Sequence, residues 1–130
     1  MTLFEIVALY TALNILLLVY LSIRVIGVRK KNEIGLGDGG NEALLQRIRV
    51  QANFTEYAPI ALLGLLLMAS LGATPLWLHA LGTAFTLGRV LHAFGLSKSI
   101  GATNPRVFGM MITFGVLIVE AGYLLFQVII

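Results

Sequence analysis

Four long apolar stretches run along the chain, each separated from the next by a short cluster of glycine, proline or charge. The first, Leu3 to Val28, holds only Glu5, Asn14 and Arg24 as strongly polar residues and closes on Arg29, Lys30 and Lys31. A helix rises about 1.5 Å per residue, so about 20 residues cross a hydrocarbon layer of ~30 Å. This stretch is long enough, and it lacks the basic leader and small-residue cleavage site of a signal peptide, so it reads as a retained membrane helix. Gly35 to Gly40 superficially resembles a phosphate loop but lacks the Gly-Lys-Ser/Thr ending, and reads as a turn. Asn41 is a good N-cap for a second helix over 42–71, with Glu42 placed at the positive end of the helix dipole. That helix begins mixed, carries Pro59 inside its pattern, which predicts a kink, and turns apolar from Ile60 to Leu71. The break Gly72 to Pro75 precedes a third helix over 76–94, with Trp77 and His79 near one interface. Gly95 to Asn104 reads as a polar loop. Asn104 as N-cap and Pro105 at the first helical position then open a fourth helix over 105–129. The expected architecture is all-α, one domain over 1–130, an integral membrane four-helix bundle.

Composition supports that solvent. Apolar types make up 58% of the chain and charged types 12%, about half the charged share of a soluble domain. Soluble globular and disordered classes are both excluded. Cysteine is absent, which excludes a disulfide-stapled module and means that any thiol chemistry must use the sulfur of a bound molecule. The net charge of +3 reports membrane topology rather than a nucleic-acid partner. All nine Lys and Arg residues fall at the end of the bundle holding the first and third loops; the Ser70–Pro75 turn and both termini have none. The positive-inside rule puts both basic loops in the cytoplasm and both termini outside.

Ionisable groups in membrane helices are expensive, so each needs a partner or a task. At about 100° per residue, Arg49, Asn53 and Glu56 form a stripe about 60° wide on the second helix. Gln51 lies in the same segment, Arg89 and His92 share a face of the third helix, and Arg106 begins the fourth. These side chains converge at the basic end. A structural reading pairs Glu56 with Arg89 across the bundle and needs no ligand. A functional reading notes that three arginines and Lys98 face one carboxylate, an excess of fixed cations that favours a small anion or anionic lipid headgroups. Elsewhere, Glu5 lies near a helix end where a long side chain can reach water, Glu120 reads as a packing carboxyl, and Asn14 as an interhelical hydrogen-bonding group. His79 has no second ligand at metal spacing, so no metal site is expected.

The segment Arg49-Val-Gln51-Ala-Asn53-Phe-Thr-Glu56-Tyr57-Ala-Pro59 resembles the second-helix signature of the MAPEG family, the membrane-associated proteins of eicosanoid and glutathione metabolism. Gly88-Arg89-Val-Leu-His92 resembles its third-helix motif and Pro105-Arg106 the start of its fourth helix. Length and loop positions fit along the whole chain, with the Gly-Asp-Gly-Gly turn resembling that of the small bacterial members. The resemblance implies a homotrimer in a bacterial inner membrane, with glutathione as cosubstrate held between subunits. Arg49, Gln51, Asn53, Glu56, Arg89 and His92 match the ligand-contacting positions, and Arg106 matches the arginine that stabilises the thiolate. A thiol of ordinary pKa, about 8.5, is only slightly ionised at neutral pH, and lowering it by two units takes roughly 2.7 kcal/mol. The first-helix arginine of the family corresponds to Arg24 or Arg29. Leu96 and Val107 stand where the mammalian synthases often have tyrosine and serine, so no eicosanoid activity is implied. The expected function is a membrane-bound glutathione transferase or peroxidase acting on lipophilic electrophiles that arrive through the bilayer. The alternatives are a non-catalytic MAPEG-like protein binding an anionic lipid or small anion, and a four-helix drug exporter. The exporter needs a carboxylate deep in its first helix, and Glu5 is too near the end.

Overall fold

A computed structural model describes all residues, 1–130. The chain forms four helices and no strand: α1 (Leu3–Asn32), α2 (Glu42–Ser70), α3 (Pro75–Lys98) and α4 (Asn104–Ile129). By length and apolarity α1, α2 and α4 each suffice to cross a membrane. The third helix carries His79, Arg89 and His92 along its length. Helices α2 and α3 each pack on all three neighbours, whereas α1 and α4 flank them without touching each other. The protein is an all-α membrane bundle.

The helix ends follow local chemistry. Thr2 and Glu5 form a reciprocal cap on α1, Thr2 Oγ1 accepting from the Glu5 amide at 3.2 Å and Glu5 Oε2 accepting from the Thr2 amide at 2.7 Å. Glu5 thus stays exposed at the helix end, as expected there, and also caps it. Arg29, Lys30 and Lys31 occupy the last turn of α1, which runs on to Asn32 because cations suit that end of the dipole. Asn41 caps α2 as expected, its Oδ1 accepting from the Leu44 amide at 2.9 Å. Pro59 lies inside α2, which continues past it as one element.

Two expectations fail at the junction of α3 and α4. The third helix continues to Lys98, so the polar loop shrinks to 99–103. The cap of α4 is Thr103, not Asn104, and Pro105 is the second helical residue rather than the first. Gly95 is the reason: it is a contact glycine, not a helix stop. A Cβ there would lie 2.5 Å from the Arg106 amide nitrogen and 2.8 Å from Thr103 Oγ1. Deeper in the bundle, Gly88 and Gly109 meet in the same way, a Cβ on Gly109 falling 2.5 Å from the Gly88 carbonyl oxygen. Small residues let two membrane helices approach at backbone distance, and this seam fixes α4 against α3.

Candidate functional site

At the basic end a groove of about 340 Å³ opens between the first turns of α2 and the α3–α4 junction. Arg49, Asn53 and Arg106 line it together with Glu42, Leu45, Gln46, Leu96 and Ile100. The phase of α2 puts Arg49 and Asn53 on one face, and the tight α3–α4 junction brings Arg106 opposite them. Arg49 Nη2 lies 3.5 Å from Glu56 Oε1, with both side chains about half exposed at 54% and 48%. Such a pair contributes little on its own. Arg106 Nη1 donates to the carbonyls of Ile100 at 2.8 Å and Gly101 at 3.2 Å, which leaves Nη2 and Nε without partners inside the chain. The guanidinium is therefore held in place from one side and free on the other.

Beneath the groove lies Arg89, wholly buried at 0% exposure. Its Nη2 donates to Asn53 Oδ1, and its Nη1 reaches Thr113 Oγ1 at 3.4 Å and Met110 Sδ at 3.5 Å. His92 Nδ1 lies 3.4 Å from the same Nη2, and the Tyr57 ring faces the guanidinium at 5.4 Å. The expected Glu56–Arg89 pair does not form. Glu56 turns outward to Arg49, and the buried guanidinium relies on an amide, a hydroxyl and an aromatic face, with Nε lacking any hydrogen-bond acceptor. His92 is itself buried where α3 crosses Gly109, so it supports Arg89 rather than lining the groove.

The remaining candidates point elsewhere. Gln51 lies on the opposite face of α2 and donates to Ser22 Oγ of α1 at 2.7 Å. Arg24 donates to Ser97 Oγ at 2.9 Å and lies over the Tyr20 ring at 5.6 Å, in a separate α1–α3 groove. Lys98 sits in that second groove too, over Phe94 at 4.5 Å. Arg29 closes its own turn through the Gly37 carbonyl at 2.8 Å. Lys98 therefore leaves the cationic cluster, and Glu42 joins the groove lining. Three arginines then stand against two carboxylates, a smaller excess than the sequence count implied. Gln46, Tyr57 and Thr113 also belong to this region, and helix phase alone does not single them out. Gln46 Nε2 donates to the Leu96 carbonyl at 2.7 Å, tying α2 to the end of α3. Its place three residues before Arg49 is the available signal.

At the other end, Tyr10 Oη bonds His79 Nδ1 at 2.9 Å and Thr83 Oγ1 at 2.8 Å, while Asn14 Nδ2 donates to Thr86 Oγ1 at 2.9 Å. Asn14 is thus the interhelical group its position suggests, and His79 joins α3 to α1. No three His, Cys, Asp or Glu side chains are grouped closely enough to hold a metal ion.

The chain is similar to known membrane proteins. Over 88 residues the chain is 38% identical to the Escherichia coli K12 protein named inner membrane protein YecN, covering 68% of this chain and 67% of that one. The protein of the same name from Escherichia coli O6:H1 matches to the same extent. The MAPEG family model matches residues 7–126, nearly the full length and every helix of the bundle. With that match over all four of its helices, the chain belongs to the MAPEG family.

Proposed function

We propose that this protein is a glutathione-dependent transferase or peroxidase of a bacterial inner membrane, working as a homotrimer on lipophilic electrophiles. The observation that carries the reading is the groove of about 340 Å³ lined by both Arg49 and a half-free Arg106 guanidinium, with the half-exposed Glu56 paired to Arg49 beside it. Glutathione carries two carboxylates and one ammonium. The Arg49–Glu56 pair matches one zwitterionic end of it: a ligand carboxylate replaces Glu56 on Arg49, and the ammonium replaces Arg49 on Glu56. Little stability is lost in that exchange, because an exposed pair is worth under about 1 kcal/mol. The ligand contacts are charge-assisted and stronger. Asn53 supplies a polar floor, held by Arg89 with His92 behind it.

Arg106 directs its free Nη2 and Nε to the sulfur and favours the thiolate, the nucleophilic form. In conjugation the thiolate sulfur forms a bond to an electrophilic carbon and the leaving group departs with the bonding electron pair. In peroxide reduction the sulfur bonds to the terminal oxygen of the hydroperoxide, the O–O bond breaks and the alkoxide leaves to take up a proton as the alcohol; a second glutathione then attacks the resulting sulfenic acid, giving glutathione disulfide and water. The substrate enters from the bilayer past Leu45, Leu96 and Ile100.

Gln51 and Arg24 face away from the groove of their own chain, which supports a site shared between subunits. In a trimer those two side chains can serve the groove of a neighbour. The inner-membrane placement rests on the name of the Escherichia coli relatives.

The test is ultraviolet difference spectroscopy of the detergent-purified protein in the thiolate band, titrated with glutathione at neutral pH. A saturable signal is expected in the native protein, and Arg106→Ala should stay folded and lose it. A signal of unchanged size in that variant removes Arg106 from the mechanism. No signal in the native folded protein favours the non-catalytic anion-binding reading.

A further inference from the structure

Asn14, near the middle of α1, is buried to 1% exposure, and its carboxamide is satisfied on one side only. Both Nδ2 protons are in use, one donated to the Tyr10 carbonyl at 2.8 Å and the other to Thr86 Oγ1 at 2.9 Å. Thr86 Oγ1 donates its own proton to the Gly82 carbonyl at 2.8 Å, so both neighbours of Nδ2 are acceptors. Turning the amide over would set its oxygen against the two of them. Oδ1 is therefore a buried acceptor to which no group of the chain donates. Beside it a cavity of about 130 Å³ lies between α1 and α2, and Thr55 is the other polar residue of the lining. Thr55 Oγ1 gives its proton to the Ala52 carbonyl at 2.9 Å. Pro59, also in the lining, has no N–H, so the Thr55 carbonyl one turn earlier loses its helical donor.

The cavity thus gathers acceptors and no donor. An acceptor at membrane depth without a donor is costly, and the remaining walls are apolar and cannot supply one. We infer that the α1–α2 cavity is a binding site for a water molecule, which donates one proton to Asn14 Oδ1 and the other to the Thr55 carbonyl. Water brings two donors on one oxygen, whereas an alcohol brings one and strands an acceptor. A water takes about 30 Å³ and needs two or more polar partners, and the cavity meets both conditions. The site does not rest on an opening to lipid. Asn14 is enclosed by its own chain, and a neighbouring copy laid over the exposed Thr55 and Pro59 closes the cavity from outside. The water joins α1 to α2 where Pro59 interrupts the helical hydrogen bonds. It is separate from the Arg106 groove and independent of thiol chemistry there.

Solid-state NMR of the full chain in proteoliposomes tests the inference with any oligomer intact. Magnetisation transfer from water protons should give a cross peak at the side-chain carbonyl carbon of Asn14, and exchange into D2O should abolish it. Pro59→Ala gives the Thr55 carbonyl a donor within α2 and touches neither Nδ2 bond of Asn14, so it should reduce the cross peak at least threefold. A crystal structure grown from a lipidic mesophase should show one spherical density within hydrogen-bond distance of both Asn14 Oδ1 and the Thr55 carbonyl. Transfer to Asn14 from lipid protons alone, the sign of an acyl chain or lipid hydroxyl in the cavity, overturns the proposal. So does a side chain of a neighbouring subunit seated on Oδ1, or a cross peak of unchanged size in Pro59→Ala.

Discussion

A guanidinium sealed inside a membrane bundle needs acceptors, and those of Arg89 carry no formal charge. Asn53 is the nearest of them, so Asn53→Ala leaves a buried donor unsatisfied. The expected cost is about 3 kcal/mol, the range for stranding a charged donor, read as a lower thermal midpoint in detergent. Asn53→Asp should retain or raise stability, because it returns an acceptor with charge. The two variants should differ also in thiol-ligand affinity, since Asn53 lines the groove as well. At this scale the sequence is readable wherever helix phase alone decides: a 100° step groups Arg49, Asn53 and Glu56 and needs no knowledge of neighbours. The same step sends Gln51 about 200° away from Arg49, which is where it lies, on α1. Whether Glu56 meets Arg89 or Arg49 depends on how deeply α3 sits and which rotamers fit there. That is a property of the crossing, not of either helix.

The α3–α4 seam makes a sharp prediction at the scale of elements. A methyl on Gly109 falls 2.5 Å from the Gly88 carbonyl oxygen and 2.6 Å from the His92 amide nitrogen, backbone atoms that cannot swing aside. Gly109→Ala should therefore destabilise the protein by about 1–3 kcal/mol through overpacking. Gly115 on the same helix faces open space, with nothing within 4 Å of where a methyl would sit. Gly115→Ala should be neutral or stabilise by up to about 1 kcal/mol through helix propensity. Thermal unfolding of the two variants side by side checks both signs. The four elements and their order are legible from apolar runs, capping residues and breaks. The end of α3 is not, because Gly95 and Ser97 resemble loop residues until α4 is seen to press on Gly95. Reading Lys98 as a loop residue then places it among the groove arginines, whereas the helix carries it to the α1 side.

For the whole molecule, two expectations concern how chains sit in the membrane and beside one another. The absence of cysteine allows single cysteines to report topology. Leu36→Cys, in the α1–α2 loop, and Leu76→Cys, in the first turn of α3, are both at strongly exposed positions at opposite ends. A membrane-impermeant maleimide applied to intact cells should label the second and spare the first; the reverse pattern inverts the proposed orientation. A shared site makes a second forecast. Arg49→Ala and Gln51→Ala chains, each defective alone, should regain thiolate formation when coassembled, to roughly a quarter of native sites for random mixing in a cyclic trimer. No recovery would place both residues' contributions within one chain. The turn between α2 and α3 has a further consequence, for biogenesis. Residues 71–74 are short and carry no formal charge. Moving one elementary charge across a membrane takes about 2.3 kcal/mol per 100 mV. In the orientation expected from the positive-inside rule, the α2–α3 hairpin threads its tip through the bilayer without electrical work, while the cations at its base stay on the side of synthesis.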